Sequence, residues 1–339
     1  MKVIFVASGN KKGAGQVSSF VQSQFDSLKA EGLDMVLFPV KGRGWRGYAK
    51  AVFDLRKVVK KERPDIIHAH YSVCGYVAVL ATLGMRHKPK IVVSILGSFP
   101  TKGAKWRRVR WAIEYLWDSA LVKSERTRAQ LGLDLPVIPN GVNLEVFQVK
   151  SKEESRKEIG WNVDAARLDS SNLDAAHLGE TKYIIWCSNP ERPEKNWPLA
   201  EAAVKELENE RMRELGKVEL VAVYDKTPQE VATYMNAADC LLLTSDSEGS
   251  PDVIKEAMAC NCPIVTTNVG DVEERLHDLE GCFVVSNKEL ENERVRELGK
   301  ALEKALAFGK RTNGRNRILN DKLEISQIAK RIIEVYEQV

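Results

Sequence analysis

Long apolar runs are missing from this sequence. No uninterrupted apolar segment approaches the roughly 18 residues that a membrane span needs, and the opening MKVIFVASG is too short for a secretion signal. Paired cysteines are missing as well. The six (Cys74, Cys187, Cys240, Cys260, Cys262 and Cys282) are dispersed, mostly inside apolar runs, without CxxC spacing. They read as reduced core residues rather than as a disulfide frame or a zinc site. Nor is one sign of charge in large excess: 51 basic and 47 acidic side chains leave a formal net charge of +4, which gives no ground for a nucleic-acid partner. These absences predict a cytoplasmic protein. What is present is an ordinary globular composition, 44% hydrophobic and 29% charged, in 339 residues, a length comfortable for two domains.

Short apolar runs alternate with amphipathic stretches along the whole chain. Lys2 to Ala7 is expected as a buried first strand, followed by the glycine-rich turn SGNKKGAG. The spacing of Gly9, Gly13 and Gly15 fits neither G-x-G-x-x-G nor a P-loop, and the second strand, MVLFPV, ends without the acid that would hold an NAD ribose. A dehydrogenase is therefore not expected. In PDIIHAHYSVCGY a strand runs into a helix, with His68 and His70 on one side of it by the period of two. An HxH pair is able to bind metal, but no third ligand is written nearby, and His68 reads as a packed core residue.

The most informative stretch is CLLLTSDSEGSPDVIKEAMACNCPIVTT, Cys240 to Thr267. Two buried strands flank a helix expected to take Ser250 as N-cap and Pro251 as its first residue, with Asp252 complementing the positive end. Helix amides near Pro251 to Val253 make an anion site suited to a diphosphate. Glu248 and Glu256 stand on either side of it, and carboxylates placed there should grip neutral hydroxyls rather than the anion.

Glu248, seven residues and Glu256, written EGSPDVIKEA, resembles the E-x7-E signature of retaining glycosyltransferases with the GT-B fold, most of all glycosyltransferase family 4. That resemblance implies two doubly wound Rossmann-like α/β domains facing a central cleft: 1–150 on the acceptor side, 151–322 on the nucleotide-sugar donor side, and a C-terminal helix, 323–339, packing back towards the first. It implies that Glu256 holds the ribose hydroxyls, that Glu248 contacts the donor sugar, and that Gly249, Ser250, Pro251, Asp252 and Val253 surround the diphosphate. His70 is similar to the histidine that touches the donor sugar in the family, and Gly13 and Gly15 to its glycine-rich loop. In SNPERPEKNW, Lys195 matches the phosphate-clamping lysine; Asn189 stands at the usual arginine position, and Arg192 lies nearer Lys195 than the pattern has it. Leu96 replaces the usual histidine before Gly97.

The expected activity is therefore transfer of a sugar, with retention, from a nucleotide diphosphate sugar to a hydroxyl of a glycan or lipid-linked acceptor (EC 2.4), without metal or other cofactor. A nucleotide-sugar epimerase of the same architecture, a metal-dependent transferase using Asp246-x-Glu248, and a non-catalytic nucleotide-sugar-binding protein are the rivals. The segment 102–117, which sets Lys102, Lys105, Arg107, Arg108 and Arg110 among Trp106, Trp111 and Trp117, reads as a surface for an anionic acceptor or the inner membrane leaflet. A solvated helix with core tryptophans fits the same letters.

Overall fold

β-Branched runs flanked by amphipathic segments fold here into parallel sheets covered by helices. The structure, a computed structural model, describes residues 1–9, 16–42, 44–96, 103–161, 181–287 and 290–339. Gly13 and Gly15 lie outside the described residues, as does Lys102.

The chain divides into two units, Met1–Gly141 with Leu323–Val339, and Val142–Lys322. The first begins with β1 (Lys2–Ser8), α1 (Ser19–Ala30), β2 (Asp34–Val40), α2 (Gly44–Glu62), β3 (Ile66–His70), α3 (Ser72–Thr82), β4 (Lys90–Ser94), α4 (Ala104–Tyr115), β5 (Ser119–Leu121) and α5 (Glu125–Leu131). The second holds α6 (Lys152–Glu158), β6 (Lys182–Trp186), α7 (Trp197–Leu215), β7 (Val218–Ala222), α8 (Pro228–Ala237), β8 (Cys240–Leu243), α9 (Asp252–Ala259), β9 (Ile264–Thr267), α10 (Val272–Leu276), β10 (Cys282–Val285), α11 (Glu291–Phe308) and α12 (Gly314–Asn320). The last helix, α13 (Ile325–Glu337), returns to the first unit.

Both sheets are parallel and share one topology. The first runs β2-β1-β3-β4-β5, and the second, read from its other edge, β7-β6-β8-β9-β10. In each, the strand order reverses beside the unit's first strand, between β1 and β3 and between β6 and β8. Open α/β sheets bind ligands at that switch, beyond the carboxyl ends of the strands. Central strands are buried on both faces, β3 and β8 along their whole length, which is why they read as continuous apolar runs. Helix starts carry their signals: in α8, Thr227 accepts from the Glu230 amide at 3.3 Å while the Glu230 carboxylate accepts from the Thr227 amide at 2.8 Å, a reciprocal cap.

One expectation is corrected. The change of unit comes at Gly141 rather than near Lys150, because the next segment is tied to the second unit: the Lys150 amide donates to Asn236 Oδ1 at 2.8 Å, and Arg315 donates to the carbonyls of Phe147 at 2.7 Å and Leu144 at 3.1 Å. Asn320 closes α12, Lys322 turns the chain with φ of 52°, and α13 begins at Ile325. Its apolar stripe, Ile328, Ala329, Ile332, Val335 and Tyr336, is buried. Gly141 admits this helix closely, since a Cβ there would lie 2.6 Å from Ile325 Cα.

Candidate functional site

In the second unit the loops that follow β6 and β8 are stitched together at the switch point. After β6 the chain makes a single 3-10 turn, Pro193–Lys195, and Asn196 then takes the left-handed conformation, φ 55°, to cap α7 through Leu199. The Asn196 side chain donates to Asp246 Oδ1 at 3.0 Å, and the Asp246 amide donates to the Glu194 carbonyl at 3.1 Å. Buried Thr244 receives the Trp186 indole N–H at 3.0 Å and donates to the Asn196 carbonyl at 2.9 Å. The result holds Lys195 Nζ against Glu248 Oε1, both side chains largely shielded at 16% and 19% exposure. Lysine carries three donors, so this ammonium has capacity for a phosphate oxygen beside Glu248.

The other acid faces the same strand end. The Glu256 carboxyl is pushed up to about 8, first by loss of solvent and then by the Asp252 charge, with Lys255 opposing. Glu256 is itself among the charges that raise the Cys187 thiol, whose main cause is burial, so it lies close to the residue that follows β6.

The helix that follows Glu248 and carries Glu256 starts differently from expectation. Pro251 is its N-cap and Asp252 its first residue; Ser250 makes no capping bond. Its hydroxyl donates instead to Asp271 Oδ2 at 2.9 Å and accepts from Lys255 Nζ at 3.0 Å. Lys255 is 1% exposed and pairs with Asp252 Oδ1 at 3.0 Å, so a buried cation lies under the first turn and offsets the acid there. Gly249 is buried and backed by Gly270, whose φ of 58° brings its own backbone so near that a Cβ would sit 2.7 Å from the Gly249 carbonyl oxygen. Val253 is half-buried on the first turn.

Three further expected contributors are engaged by other groups or buried. Arg192, 47% exposed, is bound to Glu194 Oε1 at 2.6 Å on the surface. Asn189 folds its own turn, accepting from the Glu191 amide at 2.9 Å. His70, in the first unit, is fully buried: its ring stacks on His68 at 4.7 Å and meets Phe5 at 4.5 Å, and burial holds it well below the usual imidazole range. It is an interior ring without a solvent-facing edge, because β3 is covered on both faces. Its companion His68 is pinned between Tyr336 Oη at 2.6 Å and Ser94 Oγ at 2.8 Å, and desolvation lowers it to about 3.

The first unit's switch point carries a cavity of about 300 Å³ lined by Ser8, Ser18, Tyr48, Tyr71, Val73 and Cys74. Tyr71 has φ of 73°, an uncommon conformation for a bulky residue and one that concentrates at ligand sites. In α4, Trp111 and Tyr115 are exposed at 52% and 71% beside Arg107 and Arg108, whereas Trp117 is buried. Among the described residues no group of three or more His, Cys, Asp or Glu is arranged to hold a metal ion, and no helix is long and apolar enough to cross a membrane.

Asn196, Lys255, Gly270 and Asp271 were not singled out from the sequence. Asn196 had a signal, an N-cap residue just before Trp197-Pro198. The other three act through contacts that no local pattern records.

Comparison with known proteins agrees with this fold. Residues 12–146 match the family model "Glycosyltransferase Family 4" and residues 154–306 match "Glycosyl transferases group 1". A Bacillus subtilis glycosyltransferase named for teichuronic acid biosynthesis, TuaC, is 28% identical over 219 residues, 62% of this chain and 54% of that protein. A D-inositol 3-phosphate glycosyltransferase of Thermobispora bispora is 27% identical over 263 residues, 66% of this chain and 59% of its own. The chain thus spans little more than half the length of these relatives. Among solved structures, sucrose-phosphate synthase of Thermosynechococcus elongatus shares the fold with a TM-score of 0.72 at 18% identity, over 100% of this chain and 99% of that one. HepE of Anabaena, solved with UDP-glucose, gives 0.66 at 16% identity over 100% of both.

Proposed function

The chain belongs to glycosyltransferase family 4, the group 1 glycosyl transferases, and on that premise we propose that it moves a sugar from a nucleotide diphosphate sugar to a hydroxyl of a glycan or lipid-linked acceptor, with retention and without a metal. The observation that carries this reading is the meeting of Lys195 and Glu248 from adjacent loops at the switch point, beside the amino end of α9. The donor diphosphate takes the first-turn amides of that helix and the Lys195 ammonium. Glu256, protonated at neutral pH, both donates and accepts a hydrogen bond, which suits the paired hydroxyls of a ribose. Glu248 accepts from a hydroxyl of the sugar.

In the transfer step the bond from the anomeric carbon to the phosphate oxygen breaks, the acceptor oxygen bonds that carbon on the same face, and its proton passes to the departing phosphate. Lys195 and the helix end meet the negative charge that grows on the leaving group, which is where fixed positive charge contributes most. Arg192, engaged by Glu194, leaves this to Lys195. The acceptor is assigned to the first unit's cavity beside Tyr48 and Tyr71, and a lipid-linked acceptor would be met at the inner face of the membrane, with Trp111, Tyr115, Arg107 and Arg108 of α4 against the lipid.

A thermal-shift panel of UDP-, GDP- and ADP-sugars tests the donor, UDP-glucose first because HepE was solved with it. Glu256→Ala is expected to weaken nucleotide binding and Glu248→Ala to lower turnover with binding largely kept; unchanged binding and rate in both would overturn the assignment. Transfer that survives EDTA separates this reading from a metal-dependent one, and isomerised donor without acceptor would indicate an epimerase.

A further inference from the structure

A second concave site lies at the other end of the first sheet. A groove of about 780 Å³ opens where β3 and β4 begin, away from the carboxyl ends that carry the Tyr48 and Tyr71 cavity. Its lining includes five permanent cations, Arg56, Lys60, Arg63, Arg86 and Lys88, and one carboxylate, Asp65. That carboxylate is already engaged, accepting from the Lys2 amide at 2.7 Å. Arg56 is fixed in the wall, one terminal nitrogen donating to the carbonyls of Ala81 at 2.9 Å and Leu83 at 2.8 Å. The side chains of Lys60, Arg63, Arg86 and Lys88 make no ion pair or hydrogen bond among the described residues. Their neighbours do: Lys2 pairs with Glu62 at 2.8 Å and Lys90 with Asp118 at 3.1 Å.

Charge arithmetic decides what this leaves. The carboxyl ends of α2 and α3 point here, each worth about half a negative charge. Together with Asp65 they offset about two of the five positive charges, so about three remain uncompensated in one concave surface. Arginines match phosphate geometry with paired donors. We propose that this groove is a binding site for a phosphate-bearing anion of two or more negative charges, separate from the sugar-nucleotide site and independent of the transferase reading.

Hydrogen exchange on the full chain with inorganic pyrophosphate tests it, with Arg63→Glu/Lys88→Glu as the variant, both positions being exposed. Pyrophosphate is expected to protect residues 56–65 and 84–90 in the unaltered protein, and the variant to bind there at least about tenfold more weakly while its response at 244–256 stays the same. Sedimentation with phosphatidylglycerol vesicles, against phosphatidylcholine alone, distinguishes the source. Anionic-vesicle binding that the variant loses and pyrophosphate competes away identifies a lipid headgroup; pyrophosphate protection without such vesicle binding identifies a soluble phosphate compound. Protection confined to 244–256, or groove protection equal in both proteins, overturns the proposal, as does an absence of groove protection together with unchanged vesicle binding.

Discussion

Replacing Glu256 by Gln tests the electrostatics of the site through stability alone. The carboxyl holds its proton to about pH 8 in the folded chain, against an ordinary 4.5. Between those values the folded state binds more protons than the unfolded one, so the stability present below about pH 4.5 is lost as pH rises and is gone above about 8. The gap of 3.5 (8 minus 4.5) corresponds to about 5 kcal/mol, of which about 4 kcal/mol should disappear between about pH 5 and pH 9. Glu256 keeps some contact with solvent, which makes these upper values. Glutamine has the same shape and no titration. Urea unfolding of both proteins across that range should give a variant whose advantage is small near pH 5 and grows to several kcal/mol near pH 9, while donor affinity falls. Parallel stability curves would show that the carboxyl ionises normally and would refute both the desolvation argument and the protonated hydrogen bond to ribose built on it.

Lys195→Met leaves Glu248 half-buried without its cation and should lower turnover by about 10²-fold or more, read by donor hydrolysis and transfer; a change of less than about twofold removes Lys195 from the reaction. Gly270→Ala forces the Gly249 carbonyl to move, with an expected loss of about tenfold or more in kcat/KM and about 1 kcal/mol of stability from the left-handed backbone; wild-type kinetics would mean that the loop's position is unimportant. Tyr336→Phe strips one partner from buried His68 and should cost about 2 kcal/mol in urea unfolding without altering donor affinity, so an unchanged midpoint would refute that bond's role.

The alternation of the two sheets was legible because strands buried on both faces must be written as apolar runs, and Cys240–Leu243 and Ile264–Thr267 are written that way. The placing of Glu248 before a short helix and of Glu256 inside it was legible because both belong to one loop-helix stretch. The exact start of that helix was not: Ser250 has the chemistry of a cap, but its hydroxyl is drawn to Asp271, twenty-one residues later, and to Lys255. His70 illustrates the reverse limit. Its resemblance implies a contact with the donor sugar, and the burial of its ring under Phe5 and its neighbours is a property that no local pattern records. Arg192 could not be placed by spacing, since its reach is set by the adjacent Glu194.

The return of α13 imposes an order on how the protein is made. During synthesis the first sheet emerges and pairs its strands long before Leu323 leaves the ribosome, yet its His68 still lacks the Tyr336 hydroxyl and Gly141 still faces no helix. The first unit therefore waits, with an uncovered apolar seam, while nearly two hundred intervening residues are translated and folded. A chain interrupted before Leu323 should populate an aggregation-prone first unit beside a sound second one, and adding residues 323–339 as a separate peptide should rescue its solubility.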